Sequence, residues 1–242
     1  VINIGLARRR YGYNIYALFR AIRFDREVFD YTKSLAYSLF FSMFSWVLYY
    51  ELDTIAIGSF WGAEKVAIYS IGLTLLTFIR NIFGILFSPF SARFNHLEGL
   101  RDETNLRTLL DKILILYAPI TMFSLLSVAL LAKPLVFSWV DVSYRSSVPI
   151  VQFLVLCNFF AFISYPLGML LVAKQRVKEM FFINWLIPLI FWIGILVSKN
   201  YFEERSFAIF KLISFFIMAV VYYRFLLRFL NISLVNSLKR YI

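Results

Sequence analysis

Long apolar runs parted by short polar stretches fill most of this chain. Six of them stand at about 35–58, 66–92, 113–132, 148–172, 180–198 and 207–230. Each has about the 20 residues that a helix, rising 1.5 Å per residue, needs to cross a hydrocarbon core of about 30 Å. The runs are continuous rather than alternating, which excludes a strand-built barrel. The pattern predicts an all-α, polytopic membrane protein, with a six-transmembrane-helix bundle over 34–231.

Residues 1–33 read differently. Arg8, Arg9, Arg10, Arg20, Arg23, Arg26 and Lys33 are mixed with tyrosines and phenylalanines. Ile15, Leu18, Phe19 and Ile22 recur at helical spacing, as in an amphipathic stretch lying on a membrane surface. Val1–Ala7 fits the tail of a preceding helix. Residues 232–242 read as a cytoplasmic C-terminal tail.

Composition agrees with the pattern: 61% of residues are hydrophobic and 16% charged. In a soluble domain the formal charge of +11 would point to nucleic acid. Here the basic residues follow the loops. With six spans, 18 Lys and Arg fall on the side of the entry segment, six on the other, and Arg80 lies within a span. That asymmetry puts both termini of the segment in the cytoplasm and makes nucleic acid no partner. The first residues lack the apolar core of a cleavable signal. The chain begins on Val rather than Met, which fits an excerpt from a longer protein.

One cysteine, Cys157, and one histidine, His96, exclude a disulfide framework and a Cys/His metal cluster within the chain. Cys157, mid-span, reads as a small packing residue. Pro119, Pro166 and Pro188 fall inside spans, where each removes a backbone donor; bends are expected there, with neighbours serving the freed carbonyls. Gly58, Gly62, Gly72 and Gly84 along the first hairpin suit close helix approach.

Three ionisable residues sit where charge is costly. Glu51 and Asp53 interrupt an apolar span, and a carboxylate at a helix centre costs about 2.5–3.5 kcal/mol on insertion scales. Two positions apart on a helix they point ~200° apart, so they cannot share a face. Either both are hydrated near the outer interface, or Asp53 faces a polar cavity between helices. Arg80 lies mid-way along the second span. With the hairpin turning near Ala63, Arg80 is level with Trp46, a cation–π neighbour at the right depth. It is about seven residues, or ~10 Å, off the level of Asp53. Arg80 then needs an acid from another helix, a wet cavity or an anionic ligand; its planar fork suits phosphate. Arg93 and Lys112, at the ends of the second and third spans, would extend a basic entrance or serve as plain anchors. Lys211 and Arg224, near opposite ends of the sixth span, read as snorkelling residues.

The stretch LDTIAIGSFWGAEKVAIYS at Leu52–Ser70 resembles bacterial polysaccharide exporters. These are the O-antigen flippase type of the multidrug/oligosaccharidyl-lipid/polysaccharide exporter superfamily. The entry ending in FDREVFD and the stretch FSPFSARF are also similar, so the resemblance covers nearly the whole chain. It implies a twelve-helix exporter of which this chain is the C-terminal half, lying in the bacterial inner membrane. The cargo would be undecaprenyl-pyrophosphate-linked oligosaccharide, moved between leaflets for surface polysaccharide synthesis. The missing N-terminal half and membrane lipids would be partners. On this resemblance Arg80 would meet the pyrophosphate, with Arg93 nearer the cytoplasmic mouth. Asp53, with Glu51 beside it, would bind a coupling ion, pair with a base or fix packing. No enzyme activity, catalytic residue, metal or cofactor is implied.

Three other readings compete. A multidrug exporter of the same superfamily needs acids in its cavity and no Arg80. A membrane-embedded glycan polymerase or acyltransferase needs a catalytic constellation, whereas the external loops here are short. A non-transporting assembly partner would leave its intramembrane charges paired and enclose no cavity.

Overall fold

The computed structural model describes residues 26–231, and these contain helices and no strand. Nine α-helices follow in order among them: α1 Arg26–Tyr50, α2 Leu52–Trp61, α3 Ala63–Gly99, α4 Glu103–Leu130, α5 Ala132–Trp139, α6 Ser147–Ala161, α7 Ser164–Ala173, α8 Val177–Phe202 and α9 Arg205–Leu230. A single 3-10 turn at Val142–Tyr144 precedes α6. The chain parts into two compact units between Phe40 and Phe41, within α1. In the first, Lys33 pairs with Asp30 one turn earlier at 2.6 Å. Of the entry segment expected over 1–33, residues 26–33 belong to α1; the rest of it, and the tail at 232–242, lie outside the described residues.

Five helical segments are long and apolar enough to cross a membrane: α3, α4, α6 with α7, residues 179–202 of α8, and α9. The run at 35–58 is not one helix. It breaks at Glu51, whose φ of −108° departs from helical geometry. The Leu48 carbonyl, three residues before, accepts the Trp192 indole N–H at 2.9 Å.

In the second unit α6 is the central helix, buried along one side from Ile150 to Ala161 and packed on α3, α4 and α9. Cys157 is buried there as a packing residue. Gly72 of α3 lets α6 approach: a Cβ at that position would stand 3.0 Å from Leu154 and 3.1 Å from Ile150. Gly58 similarly faces Val66 across the α2–α3 turn, and Gly62 makes that turn at φ +86°, a conformation that suits glycine. A Cβ at Gly84 would meet nothing within 4 Å.

Of the three prolines expected to bend their spans, Pro166 alone stands beside a helix break, and α4 runs on through Pro119. Pro166 enters α7 in its first turn, where no donor is missed, and the chain bends at Phe162–Ile163. α8 runs through Pro188, and the carbonyl that Pro188 frees, that of Asn184, accepts the Ser45 hydroxyl. Pro89 sits inside α3 and frees the Ile85 carbonyl, which accepts the Ser88 hydroxyl at 3.2 Å.

Ion pairs tie the helix ends. Lys65 at the start of α3 reaches Glu203 at 2.6 Å and Glu204 at 2.9 Å in the α8–α9 turn. At the opposite end Lys174, after α7, pairs with Glu98 at 3.2 Å and with Glu103. These contacts put the α2–α3 and α8–α9 turns at one end and the α3–α4 turn and the α7 terminus at the other, as alternating crossings require.

Candidate functional site

Two charged clusters lie inside the second unit, joined by one aromatic ring. The first is built on α1, where Trp46 and Tyr50 stand one turn apart with ring centroids 4.2 Å from each other. The Arg80 guanidinium lies over this pair, 4.4 Å from the Tyr50 centroid and 5.3 Å from that of Trp46. Trp46 is thus where hairpin geometry puts it; Tyr50, the closer ring, stands one turn further on, and its i, i+4 spacing from Trp46 is the signal for it in the sequence. The Tyr165 hydroxyl donates to the Arg80 carbonyl at 3.4 Å. The Arg80 side chain is half-buried, and no carboxylate among the described residues stands within ion-pair distance of it.

A cavity of about 330 Å³ opens beside this cluster and shares Trp46, Tyr50 and Tyr165 with it. Ser45, Ser91, Ser164 and Asn184 add hydroxyl and amide groups to a wall of mostly aromatic and aliphatic side chains. Such a lining offers faces for stacking and a few fixed polar contacts, the usual make-up of a ligand site.

The second cluster corrects two expectations. Asp53 is buried against a base rather than exposed at an interface or lining a cavity, and Lys211 does not snorkel. Both are 0% exposed, and they form a buried ion pair between α2 and α9. Asp53 Oδ2 accepts from Lys211 Nζ and from the Tyr69 hydroxyl, the latter at 2.7 Å. Its Oδ1 is buried with no hydrogen-bond donor among the described residues. The Lys211 ammonium lies 5.2–5.4 Å from the centroids of Tyr49, Tyr50 and Phe191, and Tyr49 donates its hydroxyl to the Lys211 carbonyl at 3.2 Å. Tyr50 therefore contacts both Arg80 and Lys211.

A signal for the pair was present in the sequence. Asp53 precedes the turn glycine Gly62 by nine residues, and Lys211 follows Glu204 by seven. Measured from loops on one side, these are depths of ~13 and ~10 Å. Opposite charges at matched depth are candidates for each other, whereas comparing Asp53 with Arg80 alone looks only within one hairpin.

The remaining candidates stand apart. Glu51 is exposed at the helix break, on a different side from buried Asp53, as their angular separation requires. Arg93 is exposed on the same helix as Arg80, thirteen residues or ~20 Å further on. The structure does not bring these two arginines together. Compared with known proteins, the chain matches no family model, no curated protein and no solved structure.

Proposed function

We propose that this chain is the C-terminal six-helix half of a membrane exporter that flips undecaprenyl-pyrophosphate-linked oligosaccharide across the bacterial cytoplasmic membrane. The α1–α2 pair would supply the first crossing and the five long apolar segments the others, with both ends of the segment on the cytoplasmic side. A partner half would close the other wall.

One observation carries the reading: Arg80 is held at mid-depth on an aromatic platform, beside a cavity, with no carboxylate among the described residues within ion-pair distance. A polar headgroup cannot enter hydrocarbon without a substitute for its water. A guanidinium supplies paired donors to phosphate oxygens, and the neighbouring tyrosines, tryptophan and serines can stack on and hydrogen-bond sugars. The prenyl chain would stay in lipid while one half rocks against the other. Against export of organic cations stands the engagement of the buried Asp53 carboxylate by Lys211.

The test is Arg80→Ala in cells that make the surface glycan. Glycan export should be lost while the protein still inserts and folds. Normal surface polysaccharide in that variant removes Arg80 from the mechanism.

A further inference from the structure

On the outside of the second unit, away from the cavity beside Arg80, α9 carries a stripe of residues at helical spacing: Phe216, Ala219, Val220, Tyr223 and Leu227. It walls an apolar groove of about 400 Å³ against Phe159 and Phe160 of α6 and Met122 of α4. The stripe runs twelve residues, or ~16 Å, along α9. That length and width suit an extended hydrocarbon chain, and the volume is near the small end of ligand sites, about 300–1,000 Å³.

The groove ends at a positive charge. Arg224 lines its mouth and is exposed. Arg228 follows one turn later on the same face, also exposed. Neither has a carboxylate within ion-pair distance among the described residues. Like charges one turn apart on a helix repel, and an anion bridging them offsets that repulsion. α9 is one of the five segments apolar enough to cross a membrane, so its flank meets lipid where the two arginines reach the end of the span.

We propose that this groove holds an acyl chain of an anionic glycerophospholipid, whose phosphate is bound by Arg224 with Arg228 beside it. The acyl chain fills the space between α4, α6 and α9, and the charge selects the headgroup. The inference needs a membrane but not the exporter reading.

The full chain, purified in mild detergent, is incubated with equal amounts of phosphatidylglycerol and phosphatidylcholine bearing the same acyl chains. Retained lipid is then counted by native mass spectrometry. Phosphatidylglycerol should be retained about tenfold over phosphatidylcholine, the scale of one charge-assisted contact. Arg224→Gln, at an exposed position, should abolish the preference yet still retain neutral lipid, and Arg224→Lys should keep most of it. Ala219→Phe, which fills the groove, should lower retention of both lipids. Equal retention by the unaltered chain, or a preference that survives Arg224→Gln, overturns the proposal. So does a polyprenyl phosphate that displaces phosphatidylglycerol at equal concentration, because the groove would then belong to a different lipid.

Discussion

Lys211 of α9 and Asp53 of α2 form a fully buried ion pair, with the Tyr69 hydroxyl donating to the same carboxylate oxygen. Two charges that lose their water need each other more than the fold needs the pair. Removing either partner alone, as in Lys211→Met or Asp53→Leu, strands the other and should cost about 3–5 kcal/mol. The double replacement should recover most of that loss, because an apolar pair of similar volume often does as well as a buried ion pair. Thermal unfolding of the four proteins in detergent reads the difference. Additive losses in the double variant would show that the two residues do not act as a pair.

α8 and α9 approach so closely that only glycine fits at one point. A Cβ at Gly194 would stand 1.9 Å from Phe210 Cδ1 and 2.4 Å from its Cγ. Gly194→Ala should therefore destabilise by about 1–3 kcal/mol, the range for overpacking. Phe210→Leu in the same chain should return part of the stability. Unfolding temperatures of the single and double variants check both statements.

The end of the bundle held by Lys65 depends on pH in a direction that can be stated. Lys65 beside the Glu203 carboxyl holds it below its usual value of 4.5. A carboxylate whose folded value lies below its unfolded one adds stability above the unfolded value and loses it as pH falls through the folded one. The contact between the α3 start and the α8–α9 turn should loosen as pH drops below the usual carboxylate value. Disulfide trapping between cysteines placed at Glu64 and Arg205 should slow or lose specificity there, once trapping is corrected for thiol ionisation. In Lys65→Ala the corrected rate should no longer change with pH through this window.

If Arg80 binds phosphate, its platform matters through charge and position. Tyr50→Phe keeps the ring and should leave most export intact. Tyr50→Leu removes a cation–π contact worth about 0.5–2 kcal/mol and should reduce export several-fold with the fold retained. Arg80→Lys keeps the charge but loses the planar fork, and should fall between the unaltered chain and Arg80→Ala. Rates of glycan appearance at the surface, normalised to protein in the membrane, order the series.

Much of this was readable in advance, for physical reasons. Long apolar runs leave little choice but helices, and the second, third, fourth, fifth and sixth runs each became a segment able to span a membrane. The level of Trp46 against Arg80 followed from rise per residue around one tight turn. The split of the first run was harder to see. Nothing in YYELD marks a break except the charge itself, and the partner that occupies the Leu48 carbonyl, Trp192, lies far along the chain. The Asp53–Lys211 pair was missed for the same reason: it joins α2 to α9, and sequence gives depth but not which helices adjoin. Gly194 stands alone in an apolar run with no turn or charge beside it, and only the packing of α8 on α9 shows that Phe210 leaves it no room for a side chain.

The irregular residue at Glu51 is fastened on both sides. Beyond it, the ten residues of α2 are pinned to α9 through Asp53; before it, α1 carries the platform under Arg80. Leu48 and Tyr49, just before Glu51, are hydrogen-bonded to Trp192 of α8 and to the Lys211 carbonyl of α9. The first run is thereby riveted on both sides of its break, and the platform under Arg80 is held in register with the buried charges.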